Sequence, residues 1–141
     1  ALCDGIFKED AGRVETYIGR SPADRTKMAV VPKEKGRYAA TNFEVVRRFS
    51  AGYTLVRFRL ETGRTHQIRV HCKHLGHPIV GDPVYGSKKQ KFKLNGQLLH
   101  ACRLELTHPK TGERMAFEAP LPAYFSAVLE KLEREERGCA R

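Results

Sequence analysis

The sequence predicts an α+β fold, a mostly antiparallel mixed β-sheet with a few packed helices. Three observations point there. Residues 41–49 and 53–61 alternate apolar and polar side chains and are separated only by "SAG", the pattern of a half-buried antiparallel hairpin. From Thr65 the period changes, and Ile68, Cys72 and Leu75 recur at helical spacing. Near the C-terminus Phe125, Val128, Leu129 and Leu132 stand at i, i+3, i+4 and i+7, the stripe of an amphipathic helix.

The elements follow in order. "RVETYIGR" (13–20) reads as a short strand, followed by the turn-like "SPADR". "TKMAVVP" (26–32) is a second strand, stopped by Pro32, which has no N–H to give to a ladder. "KEKGR" (33–37) is a charged loop. In the hairpin, Phe43, Val45 and Phe49 fall on one face of the first strand; Val56, Phe58 and Leu60 oppose Arg57 and Arg59 on the second. A turn at Thr62-Gly63 leads into a helix from Thr65 to Leu75, with Gly76 as its C′ residue and Pro78 preventing continuation. "HPIVGDPVYG" (77–86) is an ordered loop, and "KKQKFK" (88–93) a cationic stretch expected to be mobile. Residues 97–109 read as a strand that turns through "THPKTGE" into 114–120, a second hairpin of the same sheet. The last helix starts near Pro122. There is no internal repeat and no domain boundary, and 141 residues suit one domain with one core.

Hydrophobic content of 40% and charged content of 30% fit a folded, soluble chain rather than a disordered one. No apolar run is long enough to span a bilayer, and the first residues do not form a signal peptide, so no membrane partner is expected and the location expected is cytoplasmic. There is no initiator Met, and the chain reads as cut from something longer. The net charge of +10 favours a polyanionic partner, of which nucleic acid is the commonest. Cys3, Cys72, Cys102 and Cys139 form no C-x-x-C pair and read as reduced thiols.

Residues 62–86, "TGRTHQIRVHCKHLGHPIVGDPVYG", hold four of the six histidines. A metal site is one reading, since His71, Cys72, His74 and His77 are zinc-binding types. Helical geometry opposes it: His71 and His74 share one face, Cys72 lies on the apolar one, and no second ligand cluster with metal spacing exists. No metal is expected.

The same stretch resembles a signature of the RluA-type pseudouridine synthases, G-R-S/T-H-Q-I/L-R-V-H followed by L-G-H-P-I-x-G-D-x-x-Y-G. "LLHACRLELTHPKTG" (98–112) resembles the family's L-H-A strand and T-H-P turn, "AATNFEVV" (39–46) its A-x-T-x-F/Y-x-V-V strand, and "ALCDG" the strand after its tyrosine. The resemblance covers nearly the whole chain, in order. It also implies what is missing. The family's catalytic aspartate lies upstream in H-R-L-D-x-x-T-S-G, and its K-x-Y tyrosine would fall just before Ala1; neither string occurs here. Residues 1–141 are therefore expected to be the C-terminal portion of a single synthase catalytic domain, needing the upstream part and inactive by themselves.

The resemblance implies an enzyme that isomerises uridines in structured RNA (rRNA or tRNA) without cofactor or metal. It implies that Arg69 is the partner of the absent nucleophilic aspartate, a role that suits a guanidinium because it keeps a carboxylate charged and oriented. Leu99 and Ile68 are expected in the uracil pocket, with ordinary core as the competing reading for Leu99. Arg64, Thr65, His66 and Gln67, at the start of the helix, are expected to contact RNA, as are Lys73, Lys88 and Lys89 among the basic residues. His66 reads equally well as a structural histidine, and Asp82 as a turn-former in its Gly-Pro-rich loop rather than a catalytic carboxylate. The alternative from another class is a non-catalytic basic RNA-binding module derived from the same fold.

Overall fold

A computed structural model describes residues 1–139 of the protein. They divide into two compact units that part between Leu98 and Leu99, inside the segment expected to be one strand. The first unit is a five-stranded sheet, β1 (Leu2–Asp4), β2 (Ala11–Arg20), β3 (Met28–Val30), β4 (Arg37–Phe49) and β5 (Tyr53–Leu60), in the order β1-β5-β4-β2-β3. Every pairing in it is antiparallel. Helix α1 (Gln67–His74) packs against β3 and β4. The second unit holds the hairpin β6 (Arg103–Thr107) and β7 (Arg114–Glu118) and helix α2 (Ala123–Cys139). The α+β class and its antiparallel character agree with the sequence.

The β4–β5 hairpin forms where the alternation placed it, but β4 carries one residue too many. Val45 opposes Val56 and Arg47 opposes Leu55, so Val46 is a bulge. The extra residue reverses which face later side chains occupy. Phe43 and Val45 share the face of Val56; Phe49, opposite Tyr53, lies on the other. The expected single face of Phe43, Val45 and Phe49 is corrected accordingly. Period-two reading assumes an unbroken ladder, and a bulge breaks it without any mark in the apolar pattern.

The face of Val56 also carries Val14, Thr41 and Cys3, and α1 lies on it. Ile18, Ala39, Val70 and Tyr85 pack there as one buried cluster with Met28 and Val84 beside them. Leu2 and Leu55 face the other side, with Phe49.

Helix α1 begins at Gln67, two residues later than expected, because His66 adopts a left-handed conformation with φ of 56°. Its end matches the sequence. Gly76 has φ of 81°, its N–H donates to Lys73 O, and His77 N–H donates to Cys72 O, the paired bonds of a Schellman cap. The buried residues of α1 are Gln67, Val70, His71 and Cys72. Ile68 and Leu75, assigned to its apolar face along with Cys72, are only half-buried. The helix buries two polar side chains instead, which hydrophobic periodicity cannot detect.

Past the helix, residues 78–80 and Leu98 close the outer edge of β1. Asp4 N–H donates to Pro78 O, Val80 N–H to Leu2 O, Leu2 N–H to Leu98 O, and Leu98 N–H to Val80 O. This use of Leu98 is one reason the expected strand over 97–109 shrinks to Arg103–Thr107. The β6–β7 hairpin is a sheet of its own, not part of the five-stranded one. Its Arg103, Glu105, Arg114 and Glu118 form an exposed ion-pair ladder on one face; Leu104 and Phe117 pair on the other. In α2 the expected stripe is present: Phe125, Val128 and Leu132 are buried, Leu129 is half-buried, and Pro122 O accepts from Phe125 N–H and Ser126 N–H. Cys3 and Cys72 are buried free thiols with sulfurs 3.9 Å apart, Cys102 is exposed, and the Cys139 side chain lies outside the described residues. No helix among the described residues is long and apolar enough to cross a membrane.

Candidate active site

The turn from Thr62 to His66 delivers the chain to α1, and a glutamine fastens it. Gln67 Nε2 donates to Ala40 O at 3.0 Å and to Thr41 Oγ1 at 2.9 Å, while its Oε1 accepts from Thr62 Oγ1 at 2.7 Å and Arg64 N–H at 2.9 Å. All four polar capacities of the amide are thus used inside the protein. Gln67, expected at the RNA surface, is only 3% exposed and braces the turn against β4. That expectation is corrected: the residue's position at the helix start is right, but its side chain points inward.

One helical turn on, His71 is fully buried between two hydroxyls. Nε2 lies 2.7 Å from Thr16 Oγ1 and Nδ1 2.8 Å from Thr41 Oγ1. Burial, aided by the nearby His74, pushes its pKa down to about 4. His71 is neutral and structural, and its expected shared face with the exposed His74 is corrected. Cys72 faces Cys3, and His77 Nδ1 lies 2.9 Å from Asp4 O.

Arg69 is the centre of the remaining polar chemistry. Its Nε donates to Asp82 Oδ2 and its Nη2 to Asp82 Oδ1, both at 2.8 Å. The Asp82 side chain is 0% exposed and that of Arg69 is 11% exposed. Asp82 Oδ1 also accepts from the backbone N–H of Val84 at 2.9 Å and of Tyr85 at 3.0 Å. These are the turn-forming bonds anticipated for this loop; the arginine pair is additional. Burial works to raise the Asp82 carboxyl, but the Arg69 hydrogen bond and the two backbone donors outweigh it and leave it below the usual carboxylate value. The Asp82 bond in turn raises Arg69.

Tyr85 backs this pair. The guanidinium lies 5.1 Å from its ring centroid. The Tyr85 hydroxyl accepts from Met28 N–H at 2.9 Å and stands 2.8 Å from His66 Nδ1. When the hydroxyl proton goes to Nδ1, both of its capacities are used and Nε2–H of His66 is left as a donor. Burial, then the charge of Arg69, lowers the His66 pKa, which favours that neutral form. His66 therefore combines a structural bond with a half-buried ring.

The structure thus brings Arg69 and His66 together, around Asp82 and Tyr85. Sequence reasoning missed the Arg69–Asp82 pair, although both residues lie in the one long motif; nothing local links positions 69 and 82. Arg64 is half-buried, its Nε donating to Tyr38 O at 2.8 Å. Thr65, Lys73, Lys88 and Lys89 are exposed. The segment around the last two is not simply loose: Gln90 bonds Gly81 N–H and Ser87 O, and Phe92 is buried against Tyr53. Ile68 is half-buried on α1, and Leu99, also half-buried, belongs to the second unit. An open groove lined by Ile6, Phe7, Phe43, Leu75 and His77 contains none of the expected site residues.

Comparison with known proteins bears on this arrangement. The sequence model described as RNA pseudouridylate synthase matches residues 1–74. An uncharacterized RNA pseudouridine synthase of Chloroflexus aurantiacus is 50% identical over 124 residues, 88% of this chain and 38% of that protein. The ribosomal large subunit pseudouridine synthase D of Neisseria meningitidis serogroup A is 46% identical over 145 residues, 96% of this chain and 38% of that protein. The chain thus spans about two fifths of the length of such relatives. Among solved structures, human RNA pseudouridylate synthase domain containing 1 superposes with a TM-score of 0.74 at 27% identity, over 94% of this chain and 63% of that one. Human RNA pseudouridylate synthase domain containing 4 shares the fold, with a TM-score of 0.72 at 24% identity over 94% of this chain and 60% of that one. The chain belongs to the RNA pseudouridylate synthase family.

Proposed function

We propose that this chain is the C-terminal portion of a synthase catalytic domain that converts specific uridines of structured RNA to pseudouridine. In that reaction the N1–C1′ bond of uridine breaks, a C5–C1′ bond forms, the C5 proton leaves and N1 gains a proton. The reaction is a rearrangement, so the proposal includes no cofactor and no metal. The nucleophilic aspartate comes from the part of the domain upstream of this chain, and Arg69 is the residue that receives it.

One observation carries this reading. Arg69, in the motif that resembles the family signature, is a largely withdrawn guanidinium held in one orientation by Asp82 and Tyr85. A fixed cation of that kind favours the ionised form of an adjacent carboxylate and sets its direction. Ile68 and Leu99 supply apolar surface for the uracil ring in this proposal. Arg64, Thr65, His66, Lys73, Lys88 and Lys89 contact the RNA. The names of relatives such as the large-subunit synthase D support rRNA rather than tRNA as the proposed substrate, and a cytoplasmic location is proposed with it.

The test compares residues 1–141 with the complete protein on RNA carrying 5-tritiated uridine. Tritium release by the complete protein and none by the segment is the expected result. Release by the segment alone would show that one of its own carboxylates is the nucleophile. RNA binding without release by the complete protein would establish the non-catalytic binding module instead.

A further inference from the structure

We infer that Asp82 is a positioning residue for Arg69: it occupies one side of the guanidinium and thereby presents the other end to a second carboxylate. This rests on the synthase reading above. A guanidinium has five N–H donors in two usable forks, one along Nε and Nη2 and one across Nη1 and Nη2. Asp82 takes the first fork with both oxygens at 2.8 Å. Nη1 has no partner among the described residues, yet it is not sealed off. Among those residues the one fully buried side-chain polar atom without a partner is Asp4 Oδ2, so Nη1 still meets solvent. The 11% exposure of the Arg69 side chain therefore includes its unused end.

The way Asp82 is held gives this free end a fixed direction. Asp82 is held from four directions, by Arg69 Nε and Nη2 and by the N–H groups of Val84 and Tyr85. The carboxylate cannot rotate without losing the turn, so the plane of the guanidinium is fixed by the loop, not by the mobile arginine stem. Tyr85, the residue that closes the turn, also lies against the guanidinium. The loop 79–86 is thus a cradle that sets one angle: that of the Nη1–Nη2 edge.

The pairing has an electrostatic corollary. Arg69 and Asp82 together are neutral, so the second carboxylate is oriented by hydrogen bonds more than it is stabilised by net charge. Asp82→Asn separates the two effects. The amide oxygen in the Oδ1 place keeps the bonds from Val84 and Tyr85, and so keeps the turn. The NH2 group in the Oδ2 place meets Nε–H donor to donor, so the guanidinium keeps only its Nη2 bond to the remaining oxygen and can pivot about it. The nucleophile then sits beside an uncompensated positive charge, which lowers its pKa, while its orientation loosens.

In the complete protein, single-turnover rates for Asp82→Asn should fall about tenfold or more, as loss of orientation without loss of charge predicts. RNA affinity should stay within about threefold, and the acid limb of the pH–rate profile should move to lower pH. Thr16→Val is the control, losing stability through the His71 bond but leaving the acid limb where it is. A wild-type rate and limb for folded Asp82→Asn would reduce Asp82 to a turn-former and leave the synthase reading standing. An inactive wild-type protein would instead bring down that reading, and this inference with it. A second measurement does not depend on the variant folding. In a protein whose upstream nucleophile is replaced by Ala, the Nε proton of Arg69 should keep its protection from exchange, because Asp82 still holds it. Loss of that protection would mean that the side fork serves the nucleophile, and would overturn the assignment.

Discussion

Gln67 fastens the first turn of α1 to Ala40 of β4: its amide nitrogen donates to the Ala40 carbonyl at 3.0 Å, beneath the turn that its own amide oxygen closes. Gln67→Glu is nearly isosteric but replaces two donors with acceptors facing Ala40 O and Thr41 Oγ1. The expected loss is about 2–4 kcal/mol, the cost of a buried carboxylate with one oxygen set against the Ala40 carbonyl. Urea unfolding of the complete protein measures it. A loss under about 0.5 kcal/mol would show that the turn is held by other means.

His71 should make stability depend on pH. Its folded pKa of about 4 lies below the ordinary 6.5, so the unfolded chain binds more protons between those values. Stability from this group is complete above pH 6.5 and is lost as pH falls toward 4. The expected loss amounts to about 3 kcal/mol in all, and His71→Gln should flatten the dependence. Denaturant midpoints measured across that range check the sign.

Arg69→Ala acts twice. It removes the partner of the proposed nucleophile, and it leaves Asp82 buried with only its backbone donors. Turnover should collapse while RNA affinity changes much less, with about 3–5 kcal/mol lost from stability. Arg69→Lys keeps a charge but loses the planar fork, so it should restore activity only in part. Single-turnover kinetics beside RNA binding distinguish the roles: a loss confined to affinity would move Arg69 to the phosphate-contacting set.

Lys73, Lys88 and Lys89 are exposed and should act through counterion release. Replacing all three with Ala should weaken RNA binding and reduce the slope of log K against log salt by about 2 to 3. An unchanged slope would show that RNA lies elsewhere on the protein.

Much of this is legible in the sequence. The alternation of 53–61 gave β5, the Gly76-Pro78 spacing gave the end of α1, and the long motif drew attention to Arg69. What escaped has a common cause. Gln67 and His71 are buried because hydrogen bonds satisfy them, which apolar spacing does not register. The Arg69–Asp82 pair joins a helix to a loop across intervening turns, and Leu98, read as part of a long strand, is bonded to Leu2 and Val80 instead. Each is a tertiary fact written in residue types that also suit a surface.

The bulge at Val46 has a mechanical consequence. Because of it, one unbroken strand carries Thr41, which grips His71 of α1, and Phe49, which is packed on the opposite side of the sheet. Strand β4 is in effect a lever passing through a wall. A void opened at Phe49 would be transmitted along it to the seat of the helix, and would be felt at Arg69 as a change of aim, with no contact at the guanidinium having been touched.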